Sequence, residues 1–291
     1  MAMEHEWIRT EVVLLNDQLR ERGIGLGSRQ NLFALVGFGR NNREDILGVV
    51  LSQLTTPEQF INASNQLELT GVSEDGYAGI DFALDNIASR MGTAKLMIFV
   101  TDEDRSIIRL DLSRAVIEQR LRQEGFLLNV VVNQGFLSDP QDSTSHALGL
   151  DSNGTAYTFD RNNPNLFSSQ EGGTYNQNPL FGFEDTYRDY VELAFATGGV
   201  AWDLNQLREQ GLYAQAFTNA FTQVKVDEVM NVSRVCFSCF CTPPDSQCAL
   251  EGGVGVEECS GEVPGEGSTI QRAHCERNCY SLPAVSTVIY N

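Results

Sequence analysis

The chain has 291 residues, enough for one large α/β domain and a smaller second unit. It carries 39 Asp and Glu residues against 20 Lys and Arg residues, a formal net charge of -19, so its summed field repels phosphate backbones and anionic membrane surfaces. No apolar stretch approaches the roughly 20 residues that span a bilayer. We therefore expect no nucleic-acid partner and no membrane span.

Amphipathic helices and short apolar runs alternate along the first two hundred residues. Residues 4–22 place Ile8, Val12, Leu15 and Leu19 on one helical face. Three apolar runs are typical of strands buried on both faces: Leu32–Phe38, Leu96–Thr101 and Phe126–Val132. Further elements are expected as helices near 57–67, 80–87, 111–124, 187–197 and 212–224, and as a short strand at 199–202. The alternation predicts an α/β fold with a doubly wound, mostly parallel sheet.

One segment interrupts this alternation. Residues 135–183 are polar and contain Asn153-Gly154, a pair that tolerates the positive φ angles of a tight hairpin turn. We expect a partly β surface insertion whose removal leaves the core folded.

Ligands of open α/β sheets bind beyond the carboxyl ends of the strands, so function is expected after Phe38, Val100 and Val132. Gly37-Phe-Gly39 follows a strand, but it lacks the third glycine of a dinucleotide-binding loop. No nucleotide site is therefore predicted there.

All seven cysteines lie in the last sixty residues, at Cys236, Cys239, Cys241, Cys248, Cys259, Cys275 and Cys279. A dense cluster in a short Gly-rich segment favours a disulfide scaffold over a zinc site, because so short a segment cannot bury enough apolar surface to fold alone. We therefore divide the chain into residues 1–233 and a disulfide-rich module at 234–291. The odd number leaves one thiol free, paired with another chain in a multimer, or paired with a cysteine outside this sequence.

An oxidising, extracellular location follows from these cysteines. Asn62, Asn153 and Asn231 begin glycosylation sequons that fit the same setting. Residues 1–7 carry neither the basic start nor the apolar region of a signal peptide.

The segment Gly71-Val-Ser-Glu-Asp-Gly-Tyr77, together with the downstream Leu96-Met-Ile-Phe-Val-Thr-Asp102, resembles the second and third loops of a von Willebrand factor type A domain. The order of elements from residue 4 to about 230 is also similar to that family. The resemblance implies a Rossmann-like sheet and a Mg²⁺-dependent adhesion site, with Ser73 and Asp102 as metal ligands. It also implies an extracellular or matrix protein partner whose acidic side chain completes the metal site.

The family's first strand and its D-x-S-x-S loop should precede the first helix, but only Met1-Ala-Met3 stands there. We therefore expect an upstream strand that ends in D-x-S-x-S, with a signal peptide before it. Mg²⁺ is expected only if that loop is present upstream; otherwise no cofactor is expected. The alternative is that the sheet closes differently, by borrowing the apolar tail Val285–Tyr290.

The predicted function is protein binding in cell adhesion, and the alternative is a structural matrix component that assembles through its cysteines. The only histidines are His5, His146 and His274, and none lies in a nucleophile motif. Each is expected to be a surface polar residue, and no enzymatic activity is predicted.

Overall fold

The computed structural model describes residues 2–39, 48–67, 74–88, 90, 92–160, 162–175, 185–237, 278–281 and 284–290. It is a mixed α/β fold with helices on both faces of a nine-stranded sheet. The helices are α1 (Ala2–Glu21), α2 (Pro57–Ser64), α3 (Gly76–Asn86), α4 (Arg114–Glu124), α5 (Glu192–Thr197, preceded by a π-helical turn at Tyr187–Val191), α6 (Leu204–Arg208) and α7 (Gly211–Ser233). The strands of the large sheet are β1 (Leu32–Phe38), β2 (Gly48–Thr55), β3 (Ala94–Thr101), β4 (Phe126–Val132), β7 (Gly149–Asp151), β8 (Thr155–Asp160), β9 (Asn163–Glu171), β11 (Val200–Asp203) and β14 (Ala284–Tyr290).

Two smaller sheets complete the described strands. The first joins β5 (Phe136–Leu137), β6 (His146–Ala147) and β10 (Thr174–Tyr175). The second is an antiparallel pair of β12 (Arg234–Phe237) and β13 (Asn278–Ser281).

The large sheet has the order β2-β1-β14-β3-β4-β11-β7-β8-β9. Its five middle strands, from β1 to β11, run parallel, whereas β2 at one end and β7, β8 and β9 at the other pair antiparallel with their neighbours. The predicted mostly parallel, helix-covered sheet is thus confirmed at the level of an α/β fold. The edge strand β2 had not been predicted.

The last strand of the chain lies in the middle of this sheet. β14 pairs parallel with β1 over six residues and with β3 over seven, so both of its edges are hydrogen-bonded. The central position between β1 and β3, which was expected to need a strand from upstream of the sequence, is therefore occupied by the C-terminal strand β14. This corresponds to the alternative in which the tail Val285–Tyr290 closes the sheet. The proposed boundary at residue 234 is accordingly corrected for residues 284–290, which belong to the large sheet.

Successive residues of the parallel strands pack into two separate hydrophobic cores, one on each face of the sheet. Val288 packs in the layer formed by α1, α2, α6 and α7, whereas its neighbour Ile289 packs in the layer formed by α3, α4 and α5. Both side chains are fully buried. Successive side chains of a strand point to opposite faces of the sheet, so a strand made of apolar residues throughout requires helices on both faces.

The insertion at residues 135–183 is partly β, as predicted, and Gly154 adopts φ +77° in the turn between β7 and β8. It is not confined to the surface. β7 extends the large sheet beside β11, and Leu148, Leu150 and Ala156 are buried in the two cores. The expectation of a dispensable surface insertion is therefore wrong for these residues.

A buried polar network lies between the sheet and the α1–α7 layer. Lys225 of α7 is fully buried and donates hydrogen bonds to Asn129 of β4 and to Glu228, the latter at 2.6 Å. Thr222 donates to Glu11 of α1 at 2.8 Å. Burial raises the pKa of the Glu11 carboxyl to about 8 and lowers the pKa of the Lys225 ammonium to about 8.

Among the described residues, no helix is long and apolar enough to cross a membrane.

Candidate functional site

The carboxyl ends of the parallel strands form one rim of the sheet, which we call the carboxyl edge. Asp102 follows β3, Asn133 follows β4, and Asp203 ends β11. The start of α1 reaches the same edge, because Arg208 bridges Glu4 of α1 to Asp102. The edge therefore gathers polar side chains from distant parts of the sequence, at the place where α/β sheets usually bind their ligands.

Arg208 is the cation at the centre of this edge. Its Nη2 donates to Asp102 Oδ2 at 2.6 Å, and its Nε donates to Glu4 Oε1. Burial of Glu4 opposes ionisation, but the hydrogen bond and charge of Arg208 lower the pKa of its carboxyl below the ordinary value. The Arg208 guanidinium thus favours the ionised form of Glu4.

Glu74 forms a second acidic position on the loop before α3. Thr101 Oγ1 donates to Glu74 Oε2 at 3.0 Å, which joins this loop to the end of β3. Burial, and then the nearby charge of Glu103, raise the pKa of Glu74 to about 7. Gly76 permits this approach, since a Cβ atom there would lie 2.5 Å from the Phe99 ring. Glu74 therefore holds a proton in part of the population at neutral pH.

Asp75 fastens the segment after β3, which we call the 104–111 loop. Its carboxylate accepts hydrogen bonds from Arg105 Nε at 2.6 Å and from the backbone N–H groups of Ile108 and Arg109 at 3.0 and 2.8 Å. Arg105 also lies over the Tyr77 ring, 4.0 Å from its centroid. Both members of the Asp75–Arg105 ion pair are buried. The loop backbone is therefore held in one conformation by a group at the start of α3.

The 104–111 loop presents two aliphatic side chains to solvent. Ile107 is 59% exposed and Leu110 is 88% exposed. Glu103 and Asp111, which stand on either side of them in the sequence, are also exposed, and Asp111 is ion-paired with Arg109. A buried ion pair thus fixes a loop that presents two exposed aliphatic side chains at the carboxyl edge, an arrangement that fits contact with another protein.

The predicted metal ligands are only partly accounted for. Asp102 lies at the carboxyl edge, as expected, whereas Ser73 falls outside the described residues. The Asp102 carboxylate is bonded to Arg208, whose guanidinium takes the place of a cation beside it. Among the described residues, no group of three His, Cys, Asp or Glu side chains is arranged to hold a metal ion.

The other sequence-predicted residues can be placed as follows. Asn62, Asn153 and Asn231 are all exposed, so glycosylation at each stays a prediction. Cys236 and Cys279 lie on β12 and β13, while Cys239, Cys241, Cys248, Cys259 and Cys275 fall outside the described residues.

The histidines differ from expectation at one position. His5 is buried, and its ring lies edge-on to Tyr290 of β14 at 4.5 Å between centroids, so the prediction of a surface residue is wrong there. Burial lowers the pKa of the His5 imidazole. His146 is exposed as predicted, and His274 falls outside the described residues.

The sequence contained a signal for Asp102 but none for its partners. Arg208 lies 106 residues away from Asp102 in the chain and 204 residues away from Glu4. No local pattern connects such positions. Glu74 and Asp75 stood beside the predicted Ser73, and their roles were missed because both resembled ordinary loop carboxylates.

No protein-family model matches the chain, and a search of curated proteins finds no match either.

Proposed function

We propose that the chain is an extracellular protein-binding domain that contacts its partner through the carboxyl edge, in the manner of a von Willebrand factor type A domain whose metal site is incomplete. The observation that carries the proposal is the 104–111 loop, which Asp75 and Arg105 hold in place while Ile107 and Leu110 stay exposed. A surface loop held by a buried ion pair binds without first having to be ordered, which lowers the entropic cost of association.

The strand order supports the family part of the proposal. With β14 in the centre, the parallel strands from β1 to β11 have helices on both faces, and the acidic residues collect at the end where type A domains bind. In this chain Arg208 forms ion pairs with both Glu4 and Asp102, where a type A domain would place a divalent cation. The proposal therefore gives metal no role in the described edge.

The chemistry of the edge indicates the kind of partner. Exposed aliphatic groups call for an apolar contact, and the net charge of -19 favours a partner with a basic rim. The proposal assigns the edge a binding role and no catalytic step.

Binding to immobilised extracellular-matrix proteins tests this function. We expect Ile107→Ser combined with Leu110→Ser to weaken binding by about tenfold or more, because exposed apolar anchors at an interface each contribute on the order of 1 kcal/mol or more. Leu26→Ser is the matched control, since Leu26 is 50% exposed and follows the opposite end of α1. Wild-type binding by the double variant, or equal losses in the control, would contradict the proposal.

The alternative is a structural matrix component that assembles through its cysteine-rich segment, and the odd cysteine count favours it. This role would be supported by multimers that dissociate with reductant but not with EDTA. The Ile107→Ser, Leu110→Ser double variant should then form these multimers as well as the wild type does. A partner bound by the monomeric chain would support adhesion.

A further inference from the structure

The chain returns to its central strand through the β12–β13 pair. β12 begins directly after α7, and two residues separate the end of β13 from the start of β14. Between the two paired strands run residues 238–277. Among the described residues, a ladder of four residue pairs joins the strand that precedes β14 to the strand that follows α7. A two-stranded ladder is marginally stable by itself.

Within this ladder, a cysteine lies opposite a cysteine. The register pairs Arg234 with Ser281, Val235 with Tyr280, Cys236 with Cys279, and Phe237 with Asn278. Directly opposed residues of antiparallel strands have Cα atoms roughly 4.5 to 5.5 Å apart. Disulfides need Cα atoms roughly 4.4 to 6.8 Å apart, so either kind of opposed pair meets this requirement.

We propose that Cys236 and Cys279 form a disulfide that closes the loop between β12 and β13 and holds β14 in the sheet. The two thiols lose two protons and two electrons as the S–S bond forms, and a disulfide donor such as oxidised glutathione accepts them and is reduced to two thiols. The inference does not depend on the proposed binding function.

The bond would shorten the covalent path between α7 and β14. Without it, the path from the end of α7 to the start of β14 includes the whole intervening loop. With it, Cys236 lies three residues after Ser233 and Cys279 lies five residues before Ala284. A shorter tether raises the effective concentration of β14 at its slot, because loop-closure entropy grows with the length of the loop.

The same bond constrains the remaining cysteines. Seven cysteines that form three disulfides can be arranged in 7 × 15 = 105 ways. Fixing Cys236–Cys279 leaves five cysteines, one unpaired and four in three pairings, which gives 5 × 3 = 15 ways.

Peptide mapping of the full-length, non-reduced protein is the first test. We expect one linked peptide pair that contains Cys236 and Cys279 and that separates on reduction. Alkylation of either cysteine without reductant, a link from either one to another cysteine, or a stoichiometric zinc ion bound by them would overturn the proposal.

Hydrogen exchange then tests whether the bond holds β14. We expect backbone amides of residues 286–290 to exchange faster after reduction, on the order of a thousandfold, the size given by the chain-entropy treatment of a loop this long. Cys248→Ser is the control, because it removes one thiol and leaves the ladder unchanged, so its exchange should match the wild type. A linked pair with unchanged β14 exchange on reduction would refute the clamp. Because this experiment uses wild-type protein in two redox states, it remains informative if Cys236→Ser or Cys279→Ser fails to fold.

Discussion

Replacement of Ile289 by Ala tests whether the C-terminal segment is a core strand. Ile289 is fully buried, it pairs with Val36 on one side and Phe99 on the other, and it packs in the core beneath α3, α4 and α5. Truncation of a fully buried Ile to Ala removes several methyl and methylene groups and leaves a cavity. The expected loss is about 2 to 5 kcal/mol in the free energy of unfolding.

Such a loss is large against the total stability of a domain, typically about 5 to 15 kcal/mol. Ile289→Val, which removes one methylene, should cost only about 0.5 to 1.5 kcal/mol. Val49→Ala is the matched control, because Val49 lies on the edge strand β2 and is 48% exposed, and changes at such positions stay within about 0.5 kcal/mol.

Urea unfolding followed by far-UV circular dichroism measures these values, and the midpoint and slope separate a change in stability from a change in the unfolded state. The order expected is Ile289→Ala well below Ile289→Val, with Val49→Ala near the wild type. If Ile289→Ala and Val49→Ala have equal, small effects, the tail is not a core strand and the central slot is filled in another way.

Three further predictions concern buried charge and the insertion. Burial raises the folded-state pKa of Glu11 to about 8 and of Glu74 to about 7, so the stability that each contributes is fully present below about pH 4.5 and is lost as the pH rises through those values. The urea midpoint of the wild type should therefore decrease between pH 5 and pH 8, and Glu11→Gln should make this decrease smaller. An equally steep decrease in Glu11→Gln would contradict the assignment. Arg208→Gln removes the guanidinium that pairs with the buried Glu4 and with Asp102, and it should lower the free energy of unfolding in urea by about 2 to 3 kcal/mol. This is less than the loss for a fully buried pair, because Arg208 is partly exposed, and Arg208→Lys should recover part of it. A loss below about 0.5 kcal/mol would show that the ion pairs contribute little. Deletion of residues 135–183 should abolish the cooperative thermal unfolding transition, because Leu148, Leu150 and Ala156 are core residues. A deletion variant with the wild-type melting temperature would show that the segment is dispensable.

The sequence allowed most of the parallel strands and helices to be predicted, since these elements carry their own periodicity. The run Phe126–Val132 coincides with β4, and Leu32–Phe38 coincides with β1. The tail Val285–Tyr290 was equally recognisable as an apolar run. Its use to close the sheet was considered only as the alternative, and its pairing with β1 and β3 was not predicted, because a run of buried residues specifies a strand but not the strands that pair with it.

The candidate site was predicted only where one local segment provided it. Asp102 ends a recognisable strand, so its position at the carboxyl edge followed from the fold class. The Arg208 bridge joins residues more than a hundred positions apart, and the role of Asp75 depends on backbone N–H groups about thirty residues downstream. Contacts of this kind arise from packing, which sequence periodicity does not encode. The exposure of Ile107 and Leu110 was missed for the same reason.

The most direct test of the binding proposal is a hydrogen-exchange comparison of the free chain with its complex with a matrix partner. We predict that binding slows exchange in residues 103–111 and leaves the turn at 25–30, beyond the opposite end of α1, unchanged. Protection confined to the segment between β12 and β13, with no change at residues 103–111, would contradict binding through the carboxyl edge and favour assembly through the cysteine-rich segment.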